Sequence, residues 1–501
     1  MGIVRKQSLY SSISIYIGFA FGAFNQLVLF PRLLNAEQYG LKGLLIDVAT
    51  LMATVASLGA VPAINKFFPF YKDYLTKKNN DLPYITTIVA AIGFLLFVIF
   101  SFIFKGLIIQ KFSGNSQLFI DYFYIVYPLT FFIMVYNLLE AFAWGLKKTI
   151  ASNFLKENLL RVATTVILII YAIAQFQFST FMILFCVPYA LIAVLLWWVI
   201  YRTDELKTVP RLSSVTRRMK GRIMIFSGYV FSANVFSLIA RTNDLLIMSS
   251  VIGLEAAGVY SIATFVASLI EVPQRSMYSI TTPILSQAWK DRDLTKIQSI
   301  YSKSSITLII LGFGIFGVIW CSQHNLVLFL NHFLNPSQQA IIPQIILVLC
   351  IAKLIDLVTG VNNIVIQTSN FWRFDFISAI SFVIVSIVLT YILQKKMAIV
   401  GAAYATLIGV SLNNMVRFAF IWIKFGMQPL SYKTLITLVL GVACIAITLQ
   451  IPFAWNLYAD TIIRSIVFVI LYVPAVIGLR LSEDINGMWT MVYEKISRKQ
   501  A

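Results

Sequence analysis

Apolar residues recur along the whole chain in runs of about 20, the length a helix needs to cross a bilayer, with short polar connections between them. Such runs are too long and too continuous to be the alternating strands of a barrel, and a bilayer admits no other spanning structure than helix or barrel. The pattern predicts an all-α integral membrane protein. Fourteen transmembrane helices are expected, near 8–30, 41–65, 83–104, 118–143, 158–176, 179–201, 223–251, 256–285, 302–321, 341–367, 374–394, 399–423, 432–452 and 461–480. The longest of them must tilt or extend beyond the hydrocarbon.

The polar connections are basic, which sets an expected orientation. The 501 residues are 59% hydrophobic and 12% charged, with a net charge of +19. With Arg5 and Lys6 placed in the cytoplasm, the connections on that side and the helix ends flanking them collect 27 Lys and Arg, and those on the other side collect 7. The remaining five, Arg161, Arg241, Arg275, Lys353 and Arg417, fall within spans. The positive-inside rule then makes both termini cytoplasmic. No basic soluble domain is available to bind nucleic acid, so membrane lipids are the expected partner of this charge. Cys186, Cys321, Cys350 and Cys444 lie in or at the ends of apolar runs without paired spacing, and read as small core residues, neither disulfides nor metal ligands. The first apolar run is too long for a cleavable signal peptide and lacks a small-residue cleavage site.

The most basic connection, residues 202–222, divides the chain into two lobes. Residues 1–201 carry spans 1–6, residues 223–423 carry spans 7–12, and residues 424–501 add spans 13–14 and a cytoplasmic tail. A weak internal repeat agrees: Glu37 and Gly40 at the start of span 2 superpose on Glu255 and Gly258 at the start of span 8. Because these spans run in the same direction, the repeat is parallel.

Charges inside the spans are the candidate chemistry, since each costs roughly 2.5–3.5 kcal/mol to insert near the centre of a bilayer. In span 7, Ser227, Asn234, Ser237, Arg241 and Asp244 share one side of the helix, a polar stripe that must face protein or water. Glu271 and Arg275 stand at i,i+4 in span 8, with Pro273 between them predicting a kink. Lys353 and Asp356 stand at i,i+3 in span 10. Three private ion pairs and one shared network are both compatible with this spacing. Asp47 is the deepest acid of the first lobe, whereas Glu140, Arg161 and Arg417 lie near helix ends where anchoring suffices.

The segments PRLLNAEQYG after span 1, ARTNDLLIMSSVIGLEAAGVYSIAT across spans 7–8 and AIVGAAYAT opening span 12 resemble the polysaccharide transporter family. These are the O-antigen and capsule repeat-unit flippases of the multidrug/oligosaccharidyl-lipid/polysaccharide exporter superfamily. The resemblance implies two six-helix lobes around a central cavity plus two C-terminal helices. It also implies a bacterial inner-membrane protein that moves an undecaprenyl-diphosphate-linked oligosaccharide for surface polysaccharide biosynthesis. A monomer is expected, with other polysaccharide-assembly proteins as candidate partners. Span 1 departs from two better-defined relatives: it has neither the cation of lipid II flippases nor the acid of many drug exporters, and Asn25 and Gln26 are its strongest polar groups.

A diphosphate cargo calls for cations, so Arg241, Arg275 and Lys353, with Asn234, are the expected substrate-binding residues. Asp244, Glu271, Asp356 and Asp47 are then charge partners, or sites coupling transport to a Na+ or H+ gradient. No cofactor is expected, and no ATP-binding motif is present. Two alternatives stand beside this reading. A cation-coupled multidrug or small-organic exporter would share the superfamily. A membrane-bound polysaccharide polymerase or ligase would need an acid–base group, and the only histidines, His324 and His332, sit in a connection without Lys, Arg, Asp or Glu to orient them.

Overall fold

The computed structural model describes residues 18–76, 79–146, 148–203, 212–452 and 456–487. Every regular element among these residues is helical. Helix α1 (Ala36–Ala56) opens on a capping box, in which the Gln38 N–H donates to Asn35 Oδ1 at 2.8 Å and the Asn35 N–H donates to Gln38 Oε1 at 3.2 Å. Amides that a helix start leaves open are thereby satisfied. Gly59, at φ 82°, turns the chain into α2 (Ala60–Tyr74). Then follow α3 (Leu82–Ile103), α4 (Val126–Gly145), α5 (Leu160–Ala174) and α6 (Val187–Tyr201). Proline stands in the first turn of α3 and of α6, where a missing N–H costs nothing.

Helix α7 (Ser214–Val251) starts on its N-cap Ser213 and runs 38 residues. At ~1.5 Å per residue that is about 57 Å, well beyond the ~30 Å hydrocarbon core. Expected span 8 is kinked, as Pro273 predicts: α8 (Leu254–Ser268) ends in a 3-10 turn, Leu269–Glu271, before α9 (Val272–Lys290) resumes with Pro273 in its first turn. Next come α10 (Leu294–Cys321), α11 (Pro336–Val358) and α12 (Trp372–Phe425). The 54 residues of α12 are broken at Ala398, which lies at φ 48°, ψ −130°. The chain closes with α13 (Tyr432–Leu449) and α14 (Leu457–Gly478).

Twelve helical stretches among the described residues are long and apolar enough to cross a membrane, against the fourteen expected. Two features account for the difference. Expected span 1, residues 8–30, begins outside the described residues, and its described part, helical from residue 18 to Leu33, is shorter than a span. Expected spans 11 and 12, residues 374–394 and 399–423, form the two arms of α12 on either side of Ala398. Large apolar side chains are widely exposed on these helices, among them Ile103, Ile173, Ile423 and Leu435. Such a surface suits hydrocarbon as its solvent.

By their contacts the residues form two compact units, 1–258 and 259–501. In the first, α4 packs on α1, α2 and α6, and α7 lies along α1 and α2. Helix α7 is also tied at both ends within this unit. The backbone N–H of Ser213 and the hydroxyl of Thr216 each donate to Asp81 Oδ2 at 2.7 Å, while Ser116 Oγ donates to the Ser249 carbonyl. The repeated glycines meet one another: a Cβ on Gly40 would overlap the Leu254 carbonyl, and one on Gly258 would overlap the Ala36 carbonyl. Their shared sequence position thus serves a close approach of two helix starts. In the second unit α10 is central, packing on α9, α11, α13 and α14, while α11 packs along α12.

Candidate functional site

The polar stripe of α7 faces a cavity of about 340 Å³ inside the first unit. Asn234, Ser237 and Arg241, three of the five stripe residues, line it. The opposite walls come from Thr54 of α1, Asn65 of α2, and Asn137, Glu140 and Trp144 of α4. Ser227, lower on the stripe, is instead buried against Gly59. Asp244, one turn beyond Arg241, is half-buried and does not line the cavity.

The electrostatics of this cavity rest on two groups. Glu140 is 7% exposed and pairs with Lys156 at 2.9 Å, which offsets part of its charge. Arg241 is exposed to the cavity and forms no ion pair with another described residue. A guanidinium so placed keeps its donors available for an anionic or polar ligand. Asn65, Asn137 and Asn234 likewise make no side-chain hydrogen bond to another described residue.

The charged residues of α9 and α11 meet inside the second unit, with different partners from those their spacing predicts. Glu271 pairs with Lys353 at 2.6 Å, across helices. The i,i+4 pair with Arg275 does not form, because Glu271 closes the 3-10 turn before α9 begins, and Arg275 is exposed. The i,i+3 pair of Lys353 with Asp356 does not form either. Asp356 accepts instead from Gln274 Nε2 at 2.8 Å and from Asn414 Nδ2 at 2.9 Å. The Asn414 carbonyl oxygen in turn accepts from Thr359 at 2.9 Å and from Asn362 at 2.8 Å. Among the described residues, Glu271 and Lys353 thus form a pair of their own, and Asp356 sits in a separate cluster of amides. Arg417 is held separately by Asp375 at 3.0 Å.

Sequence reasoning counts Lys42, at the edge of expected span 2, with the connection before it, but the structure places it in the second turn of α1, 3% exposed. Its ammonium donates to Gln26 Oε1 at 2.8 Å and lies 4.0 Å from the ring centres of both Phe30 and Tyr39. The Tyr39 hydroxyl donates to the same Gln26 oxygen at 2.7 Å. Asp47, further along α1, is half-buried and interacts electrostatically with Lys42. The signal for Lys42 was the capping box at Asn35, which starts the helix early enough to enclose it.

The geometry is that of a chain of long apolar helices with a polar cavity and half-buried charges. A family model described as polysaccharide biosynthesis protein matches residues 4–289, more than half of the chain. The chain belongs to the polysaccharide biosynthesis protein family. Its fold is that of the MOP-superfamily transporters. The lipid II flippase MurJ, in an inward closed conformation, superposes with a TM-score of 0.73 at 16% identity, covering 94% of this chain and 99% of that one. An inward-facing multidrug resistance MATE family transporter gives 0.66 at 14% identity, covering 82% and 94%. A MOP superfamily transporter from Pyrococcus furiosus gives 0.56 at 15% identity, covering 84% and 96%. At these identities the likeness is one of fold. No curated protein matches the sequence.

Proposed function

We propose that this family member is a flippase of the bacterial cytoplasmic membrane. In this reading it translocates undecaprenyl-diphosphate-linked oligosaccharide repeat units for surface polysaccharide biosynthesis, with both termini in the cytoplasm. Arg241, unpaired among the described residues and lining a polar cavity, carries the proposal. Arg forms bidentate contacts with phosphate oxygens, and a cation held ready inside a membrane protein has little structural use. Transport proceeds by alternating access, the sugar headgroup crossing through the protein while the prenyl tail stays in lipid. In this reading the lobes are residues 1–201 and 223–423, divided at the basic linker. Helix α7 then begins the second repeat while packing on α1 and α2.

Asp356 favours a second reading, a cation-coupled exporter of drugs or small organic molecules. Its carboxylate is held by neutral amides alone among the hydrogen bonds it makes here, so its charge is left for an incoming cation to meet. The two readings separate in one experiment. Cells deleted for the gene are followed for surface glycan and for the leaflet in which lipid-linked intermediates accumulate. A flippase leaves intermediates on the inner leaflet and little surface glycan. Normal surface glycan, in a strain without a redundant transporter, sinks the assignment. Restored by plasmid, Arg241→Ala at unchanged protein level lowers export by about tenfold or more, the worth of one charge-assisted hydrogen bond, and Arg241→Lys lowers it less.

A further inference from the structure

From the chemistry of its walls, we infer that the cavity in the first unit is a subsite for an uncharged sugar ring, and that the diphosphate of the substrate lies outside its amide-lined part. The inference rests on the reading of this cavity as the flippase's substrate site. Three carboxamides from three helices, Asn65 of α2, Asn137 of α4 and Asn234 of α7, line it. None makes a side-chain hydrogen bond to another described residue. Each offers two N–H donors and a carbonyl acceptor. Asn65 and Asn234 are exposed and Asn137 is half-buried, so water meets these amides until a ligand displaces it.

A sugar hydroxyl both donates and accepts, so it satisfies the two ends of a carboxamide together. A phosphate only accepts, and would leave the three amide carbonyls facing an anion beside the Glu140 carboxylate. Trp144 adds the second element of sugar recognition. Its indole lines the same cavity and is 47% exposed, an apolar surface for the C–H face of a pyranose with low entropy cost on binding. The volume, about 340 Å³, lies at the small end of the roughly 300–1,000 Å³ typical of ligand sites and suits a ring or two of the glycan, not a complete lipid-linked unit. Arg241 is seven residues beyond Asn234 on α7, about 10 Å along the helix axis, and so is left to meet the phosphate linkage. The Glu140 wall disfavours uronic acids, although Lys156 offsets part of its charge.

The test uses the full-length protein purified in detergent and saturation-transfer NMR with four soluble probes: methyl glucoside, diacetylchitobiose, glucuronate and inorganic pyrophosphate. The expected result is transfer to the two neutral saccharides, weaker transfer to glucuronate, and no displacement of either neutral saccharide by pyrophosphate. Trp144→Ala and Asn234→Ala each weaken neutral-saccharide binding by about tenfold, as loss of a ring stack or of a hydrogen-bonding pair does. Asn65→Ala removes an exposed side chain, leaves folding intact as judged by gel filtration, and weakens binding in the same direction. Neutral-saccharide binding that survives all three substitutions overturns the inference, as does absence of such binding. Pyrophosphate binding that depends on Asn65 and Asn234 overturns it too. If sugar binding behaves as expected while gene deletion leaves surface glycan normal, the flippase reading fails and the subsite stands. If deletion abolishes export and no variant alters sugar binding, the subsite fails alone.

Discussion

Breaking the Glu271–Lys353 ion pair from one side should destabilise the protein far more than removing it whole. The two groups stand 2.6 Å apart, and their side chains are 23% and 24% exposed. At that distance the attraction is about 6 kcal/mol for an effective dielectric constant of ~20, and desolvation of the two ions offsets most of it. Removing one partner leaves the other charge enclosed, which costs about 3–5 kcal/mol in a fully buried pair. With a quarter of each side chain exposed, solvent reduces this to about 2–3 kcal/mol. Lys353→Met and Glu271→Gln should each show that loss, whereas the double variant should lie within about 1 kcal/mol of the parent. The coupling energy is then about 3 kcal/mol or more. It can be read from equilibrium unfolding of the purified protein in mixed micelles, followed by tryptophan fluorescence. Arg275→Ala is the control and should change stability by less than about 0.5 kcal/mol, since Arg275 is exposed and outside the pair. Additive single losses, or an Arg275→Ala as costly as Lys353→Met, would refute the cross-helix pairing. The second result is what an i,i+4 pair within one helix gives.

Three other outcomes are expected. Gly40→Ala places a Cβ against the Leu254 carbonyl and should cost about 1–3 kcal/mol in the same unfolding measurement, the usual penalty of overpacking. Ala398→Gly should stabilise by about 1 kcal/mol, because φ 48°, ψ −130° is strained for any residue with a side chain and open to glycine. The Glu483 carboxyl, hydrogen-bonded to Lys303 at 2.9 Å, is held below the ordinary carboxylate range. For a depressed acid the stabilisation is present above the unfolded pKa and is lost as pH falls through the folded one. Protease cleavage near residues 480–487 should therefore rise only as the solution is acidified into and below that range, and Glu483→Gln should abolish the pH dependence.

The membrane class was legible because run length and the positive-inside imbalance are one-dimensional signals. The polar stripe of α7 was legible for the same reason: a helical period puts Asn234, Ser237 and Arg241 on one side, and that side does face a cavity. Partners on other helices were not. Glu271 has Arg275 at a favourable spacing, but the 3-10 turn ahead of Pro273 breaks that register and Lys353 of α11 takes the place. Asn65, Asn137 and Trp144 come from separate helices and converge only in space, so no linear motif marks them. Lys42 was missed because hydropathy starts span 2 too late, where the capping box at Asn35 starts it correctly. The break at Ala398 has no proline or glycine at the position itself to announce it. Gly401 nearby, whose Cβ would overlap the Leu393 carbonyl, is the trace it leaves in the sequence.

Transport in proteoliposomes tests the central claim most directly. A lipid-diphosphate-linked oligosaccharide carrying a fluorescent sugar is loaded into one leaflet, and its exposure to a membrane-impermeant quencher is followed over time, in parallel with uptake of a lipophilic cationic dye. The account predicts protein-dependent movement of the lipid-linked oligosaccharide, slowed about tenfold or more by Arg241→Ala, and no comparable movement of the dye. Dye transport with the oligosaccharide left in its starting leaflet would contradict it.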